Sequence, residues 1–191
     1  MSQRLILPMN RCIITAGYKN PLYLKQQGYE HYGLDMYGET GQNVTACGDG
    51  FVFSCGYDEL FGITVIIVYR DVELHDGRII DLSCRMYHFS KVEVIRGQRV
   101  KKGDLIGTAG NTGSATVNGR PMGIHLHTEF DTEIQYPHLA FVVKQSGTIV
   151  KKGTVDSTIN PSNIWFLGEG QVAKGRGSGW FDKTDIELPK C

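Results

Sequence analysis

From Val44 to Phe130 the apolar residues of the chain recur in short runs with a period of two, or as unbroken β-branched stretches, and Gly, Asp and Asn punctuate them. Asn43-Val44-Thr45-Ala46-Cys47 and Phe51-Val52-Phe53-Ser54 flank Gly48-Asp49-Gly50, a hairpin signal, and Gly62 to Tyr69 is a β-branched run suited to a central strand. After the Asp76-Gly77 turn, alternation through Met86-Tyr87-His88-Phe89-Ser90 sets His88 on the face opposite Tyr87 and Phe89. Those two aromatics are expected to pack together. Short strands follow around Val92–Val94, Val100 and Leu105–Gly107, then the glycine-rich Gly110-Asn111-Thr112-Gly113-Ser114, then a strand through Ile124–Phe130. Phe141-Val142-Val143 and Ile149-Val150 read as a further hairpin, and Ile159 to Leu167 is the last stretch apolar enough to dock. No helical period of adequate length is present, so the expected fold class is all-β or mainly β.

The two ends differ from this middle. Residues 1–27 mix short apolar pieces with turn formers (Gly17, Asn20-Pro21, and Gly28 just beyond) and predict an irregular arm with at most one short strand. Residues 168–191 are rich in Gly and charge, with Trp180 and Phe181 isolated among them. They predict a tail that adds little to the core, so that a chain stopped after Gly168 still folds. At 191 residues the chain suits one domain, placed at 28–167 between that arm and that tail.

Composition narrows the partners. Twenty Lys and Arg balance twenty Asp and Glu, leaving no field to draw the protein to nucleic acid or an anionic membrane. The first ten residues lack the apolar core of a secretory signal and no run is long enough to span a membrane, so the chain reads as soluble without an export address. Five cysteines (Cys12, Cys47, Cys55, Cys84, Cys191), odd in number and without a Cys-x-x-Cys pair, argue against both a disulfide framework and a zinc knuckle.

Three pieces carry candidate chemistry. In an extended chain His125 and His127 aim to one face while Ile124, Leu126 and Phe130 serve packing, and Glu129 shares the histidine face, placed to orient one of them or to meet solvent. His31, Gly33 and Asp35 likewise share a face, with Gly33 keeping the ground between the polar groups open. His88 is the third piece. Imidazole and carboxylate are the ligand types of a catalytic zinc site, in which three protein groups hold the ion. Two of the five groups must then serve otherwise, as proton carriers or donors to a developing oxyanion. His75 beside its turn and His138 after Pro137 read as surface residues. The glycine loop lacks the lysine and the following helix of a phosphate cradle.

In this order the pieces resemble the M23 family of zinc metallopeptidases, the LytM and lysostaphin type. His31-Tyr32-Gly33-Leu34-Asp35 matches the family's His-x-x-x-Asp, Tyr87-His88-Phe89-Ser90 its Tyr-x-His-Leu-Ser region without the usual small residue, and His125-Leu126-His127 its His-x-His. The resemblance covers roughly residues 28–167, including the Gly97–Gly107 hairpin and the glycine loop. It implies a small antiparallel β-sheet groove, one Zn2+ held by His31, Asp35 and His127, and His88 and His125 as catalytic histidines. The implied substrate is the peptide of bacterial peptidoglycan, with action at the cell wall outside the cytoplasm or in the periplasm and the route of export open. A tyrosine near the oxyanion is also implied, with Tyr18, Tyr23 and Tyr29 as candidates. Two other readings compete. A cupin-like metal enzyme needs a carboxylate further beyond His-x-His than Glu129 lies, and its remaining histidine downstream rather than upstream. A non-catalytic wall- or partner-binding relative would be expected to have lost ligands, whereas all five residues are present here.

Overall fold

The structure is a computed structural model that describes residues 1–37, 41–114, 116–117, 120–134 and 156–191. Its centre is a mostly antiparallel sheet built from β1 (Arg11–Ala16), β2 (Leu34–Tyr37), β3 (Gly50–Asp58), β4 (Gly62–Glu73), β5 (Ile79–Phe89), β6 (Arg99–Val100), β7 (His125–Asp131), β8 (Thr158–Ile159) and β9 (Val172–Trp180). The spatial order is β9-β1-β2-β7-β5-β4-β3-β6, with β8 also paired to β7. A smaller sheet pairs Leu105–Thr108 with Asn43–Thr45 and Lys91–Val92, and Leu5–Ile6 runs parallel to Trp165–Phe166. The fold is mainly β with antiparallel sheets, as the alternation predicts.

Register explains how three neighbouring strands make two different faces. In β2, β7 and β5, Met36 lies opposite Leu126, Leu34 opposite Thr128 opposite Met86, and Phe130 opposite Cys84. All of these are buried, and the apolar ones belong to one core cluster with Ile14, Ile67 and Trp165. The intervening residues point the other way. There Tyr37 faces His125, Asp35 and Tyr87 flank His127, and Arg85 faces Glu129. A slip of one residue would exchange the polar set with the core set, so the packing of Leu126 and Phe130 fixes where the histidines aim.

Several expectations are corrected. Asn43–Thr45 does not form a hairpin with β3 across Gly48-Asp49-Gly50; it pairs with Leu105–Thr108 in the smaller sheet. The Gln3 side chain accepts from Asp49 N–H and donates to the Asp49 and Arg70 carbonyls, holding this crossing open where a two-residue turn would have closed it. The N-terminal arm is ordered: it supplies β1 and a helix, α1 (Pro21–Gln27). The Asn20 side chain accepts from the N–H groups of Leu22 and Tyr23, Pro21 begins the helix and Gly28 ends it at φ 82°, so the residues read as turn formers are the helix's caps.

The tail is likewise part of the fold. β9 runs parallel to β1, Phe181 packs on the core cluster, and Leu188 and Asp185 are buried. Gln171 spans the gap to the arm, accepting from Leu7 N–H at 3.1 Å and donating to the Leu7 carbonyl at 2.8 Å. Isolated aromatics in a polar, Gly-rich stretch cannot form a core of their own, but they can complete one that already exists. The further hairpin predicted at residues 139–155 and the reading of His138 lie outside the described residues.

Candidate metal centre and its histidines

β7 delivers His125 and His127 to the polar face, and its neighbours bring the partners. Asp35 arrives from β2 directly opposite His127. His31 comes from the loop before β2 rather than from the strand, and that loop passes hard against β7. A Cβ on Gly33 would lie 2.3 Å from the Thr128 carbonyl oxygen and 2.8 Å from His127 Nε2. Glycine is therefore required there for close approach, and the ground it was expected to keep open is occupied by β7 itself.

One ligand atom from each of His31, Asp35 and His127 falls within 4.8 Å of the others, and all three residues are buried or nearly so. His31 Nε2 is 3.0 Å from His127 Nδ1 and 3.1 Å from Asp35 Oδ1, and His127 Nδ1 is 2.7 Å from the same oxygen. Two imidazole nitrogens and a carboxylate oxygen converging on one point are a donor set suited to zinc. Partner chemistry assigns the tautomers, because a carbonyl oxygen only accepts. His31 Nδ1 faces the Gly17 carbonyl at 2.9 Å, so that nitrogen carries the proton and Nε2 presents its lone pair to the cluster.

The same rule applies to the other two histidines. His88 Nδ1 donates to the Thr112 carbonyl at 2.9 Å and His125 Nδ1 to the Gly123 carbonyl at 2.7 Å, leaving both Nε2 atoms as acceptors. The rings lie 4.6 Å apart. His125 Nε2 is buried without a hydrogen-bond partner, 4.0 Å from Asp35 Oδ1. A buried, unmatched lone pair beside a cluster of metal-ligand atoms marks where a further group belongs.

His88 reaches this place by a route that alternation did not foresee. Its backbone lies in the left-handed region, at φ 68°, and the β4–β5 register shifts between Val65–Met86 and Ile63–Phe89. The bulge turns His88 toward His125 while Tyr87 keeps to the polar face. Tyr87 therefore does not pack with Phe89 in the core. It stacks on His127 at 5.4 Å and on Phe61 at 4.5 Å. The glycine loop secures the bulge: the Thr112 hydroxyl donates to the Phe89 carbonyl and accepts from Ile63 N–H, while the Thr112 carbonyl holds His88.

Behind the cluster is a buried polar chain. His127 Nε2 is 3.0 Å from Glu129 Oε1, Tyr87 donates to Glu129 at 3.2 Å, and Arg85 reaches both Glu129 at 3.5 Å and Asp131 at 2.7 Å. Glu129 thus orients His127, one of the two readings its position allowed. Burial pulls the His127 pKa down, but the hydrogen bonds it donates to Asp35 and Glu129 outweigh this and hold it up at about 10. Burial and then the charge of His125 push His88 down to about 3, so His88 is neutral at physiological pH. Asp35 is held well below the usual carboxylate range: burial opposes this, but the neighbouring His31 and His127 prevail.

Arg85 and Asp131 were missed in the sequence, although both continue a legible period. Asp131 extends the face of His125, His127 and Glu129, and Arg85 shares the face of Tyr87. Of the three upstream tyrosines, Tyr23 packs its ring 4.7 Å from that of His31 and donates to the Tyr29 hydroxyl, whereas the Tyr18 hydroxyl bonds Thr158. His75 is exposed, as expected, and accepts or donates nothing at this site; its ring nitrogen bonds the Trp165 carbonyl. The five cysteines are free thiols, three of them buried.

A family model described as Peptidase family M23 matches residues 29–152, well over half of the chain. The chain belongs to peptidase family M23. Lysostaphin of Staphylococcus simulans is 28% identical over 176 residues, which cover 89% of this chain and 32% of lysostaphin. The peptidoglycan DD-endopeptidase ShyC of Vibrio cholerae serotype O1 is 33% identical over 100 residues, 52% of this chain and 20% of ShyC. This chain thus matches only a fifth to a third of the length of these curated relatives. The crystal structure of a zinc containing peptidase from Vibrio cholerae superposes with a TM-score of 0.50 at 28% identity, covering 67% of this chain and 37% of that one.

Proposed function

We propose that this protein is a zinc-dependent endopeptidase that hydrolyses peptide cross-links of bacterial peptidoglycan. The observation that carries the reading is the convergence of His31, Asp35 and His127 within 4.8 Å, beside a buried and unpartnered His125 Nε2. Membership of the M23 family and similarity to a protein named a peptidoglycan DD-endopeptidase support the substrate class and, with it, action at the wall.

In this reading His31 through Nε2, Asp35 through Oδ1 and His127 through Nδ1 hold one Zn2+, and Glu129 keeps His127 turned with that nitrogen inward. When bound, zinc supplies a Lewis acid that polarises a carbonyl and brings the pKa of water toward neutrality. The chain's own work is proton transfer. His125, with its Nε2 lone pair free, takes a proton as water adds to the scissile carbonyl and returns it to the departing amine nitrogen. His88 begins neutral and offers a second lone pair that orients the attacking water. Stabilisation of an oxyanion by either histidine requires that ring to be protonated first, and burial, then the neighbouring His125, disfavours charge on His88.

Zinc loading should expel a proton. His127 is protonated below about pH 10 in the metal-free protein and must give up the Nδ1 proton to bind the ion. Acid therefore opposes loading: between pH 6 and 9 the apparent affinity should fall about tenfold for each unit the pH is lowered, for one displaced proton. Calorimetry in buffers of different ionisation enthalpy counts the protons released, and a count of zero would contradict His127 as a ligand.

The test of function is incubation of purified peptidoglycan with the zinc-loaded protein, scoring new amino termini against new reducing sugar ends. New amines alone, lost with a chelator and restored by zinc, are expected. Reducing ends without amines would identify a glycosidase, and neither product from walls of several cross-link types would favour a binding module.

A further inference from the structure

A cleft of about 420 Å3 is lined by Thr15, Tyr37, Arg176, Gly177 and Trp180. Two of its lining residues lead to the site. Tyr37 lies directly opposite His125 in the β2–β7 register, so both side chains leave the same face of the sheet one strand apart. Trp180 packs edge-on against Tyr23 at 5.2 Å, and Tyr23 in turn packs against His31. The wall between these contacts is made by β9. Its pairing with β1 breaks between Gly175–Ile14 and Trp180–Ala16, so that residues 176–179 arch out of the ladder, with Gly177 at φ 102° and Gly179 at φ 75°.

The arch presents a cation. Arg176 is exposed, its guanidinium lies 5.9 Å from the centre of the Tyr37 ring, and it makes no ion pair with a carboxylate among the described residues. Arg4, Arg70 and Arg78 pair with Glu73, Asp81 and Asp76, whereas Arg176, like the exposed Arg11, Arg96 and Arg99, has no ion pair among the described residues; what sets Arg176 apart is its place over Tyr37 in the cleft. An unpaired guanidinium over an aromatic floor, closed by an indole and adjoining the reacting face, suits a planar anion at the edge of an extended peptide. Thr15, Arg176, Gly177 and Trp180 all lie outside residues 29–152, which the family model matches.

We propose that this cleft is a specificity subsite that binds a free carboxylate of the peptide substrate near the scissile bond, with Arg176 as its recognition residue and Tyr37 and Trp180 as its floor and wall. The inference rests on the peptidase reading for the substrate but not for the binding. Muropeptide dimers with free stem carboxylates are compared with the same dimers converted to carboxamides. The zinc-loaded wild-type protein is expected to favour the free acids about tenfold in kcat/KM, mainly through KM, the scale of one charge-assisted contact at an exposed site. Arg176→Ala should bring the ratio toward one, Arg176→Glu should reverse it, and Arg176→Lys should retain part of it. Equal use of both dimers by wild type, or an unchanged ratio in Arg176→Ala, overturns the subsite. Calorimetry with the same dimers in a His125→Ala background reads binding without turnover. Preferential binding of the free acids there, with no hydrolysis by wild type, would overturn the peptidase reading and leave the subsite standing; hydrolysis without preference would do the reverse.

Discussion

Replacing Asp35 or His127 with alanine should abolish both zinc content and peptide hydrolysis, whereas His125→Ala and His88→Ala should retain the metal and lose rate. The division follows from where each lone pair points. Asp35 Oδ1 and His127 Nδ1 are 2.7 Å apart within the convergent cluster, so removing either leaves two donors where a stable zinc site takes three. His125 and His88 tie their Nδ1 protons to the Gly123 and Thr112 carbonyls and keep Nε2 as an acceptor, that of His125 lying 4.0 Å from Asp35 Oδ1 and outside the three convergent atoms. Loss of a group that carries the proton should cost about 10²-fold or more in kcat. Removing the metal ligand also strands the polar chain behind it: Asp35→Ala takes away the hydrogen bond that holds His127 up, yet Glu129 and Arg85 remain. The metal-free variants should therefore still fold. Metal analysis with activity on the same preparations decides the roles, and a zinc-free His125→Ala protein, or a fully active one, would refute the assignment.

The parts of this architecture that were legible in the sequence are those written with a period of two. Leu126 and Phe130 against His125, His127 and Glu129 declare both faces of β7, and the β-branched run after Gly62 declares β4. Legibility stopped where a residue left that period. Alternation set His88 opposite Tyr87 and gave Tyr87 to the core, but the left-handed bulge turns His88 to the polar face that Tyr87 also keeps. Pairing was less legible than strand existence, because Asn43–Thr45 and β3 are separated by a glycine turn that could close a hairpin and instead carries the chain from one sheet to another. The ends were read least well. Short caps such as Asn20-Pro21 and Gly28 have the same composition as a turn, and the apolar residues of the tail are too few to announce a core of their own. Their worth depends on surfaces elsewhere in the chain that only the fold brings near. Arg85 and Asp131 were open to the same period-two reading as the histidines, but a buried ion pair stands out only when its burial is known.

Stopping the chain after Gly168 should lower the melting temperature by roughly 10–20 °C, contrary to what the composition of the tail predicts. Gln171 would be lost, and with it the partners of the Leu7 N–H and carbonyl, two groups of a fully buried residue. Each such group left without a partner costs about 1–3 kcal/mol unless water enters. Loss of Leu188, and of Phe181 and Ile186 packed on the core, adds roughly 1–2 kcal/mol for each side chain that is then exposed. Discounted for relaxation and for residual burial in the unfolded chain, the total is about 5 kcal/mol, and in a chain of this size about 2–4 °C accompany each kcal/mol. The damage would also be directional. β1 pairs with β9 on one side and β2 on the other, so the truncation converts β1 into an edge beside the strand that carries Asp35. Asp185, which accepts from the Ser162 hydroxyl and from Asp182 N–H, would go as well, loosening the turn that follows β8. Thermal unfolding of the truncated and full-length proteins, both zinc-loaded, measures the difference. A separate Gln171→Ala variant keeps β9 and isolates the contribution of this side chain, which also accepts from Gly168 N–H, expected at about 2–4 kcal/mol. An unchanged melting temperature in the truncated protein would mean that β9 and the residues after it dock without contributing, and that residues 1–168 fold as they stand.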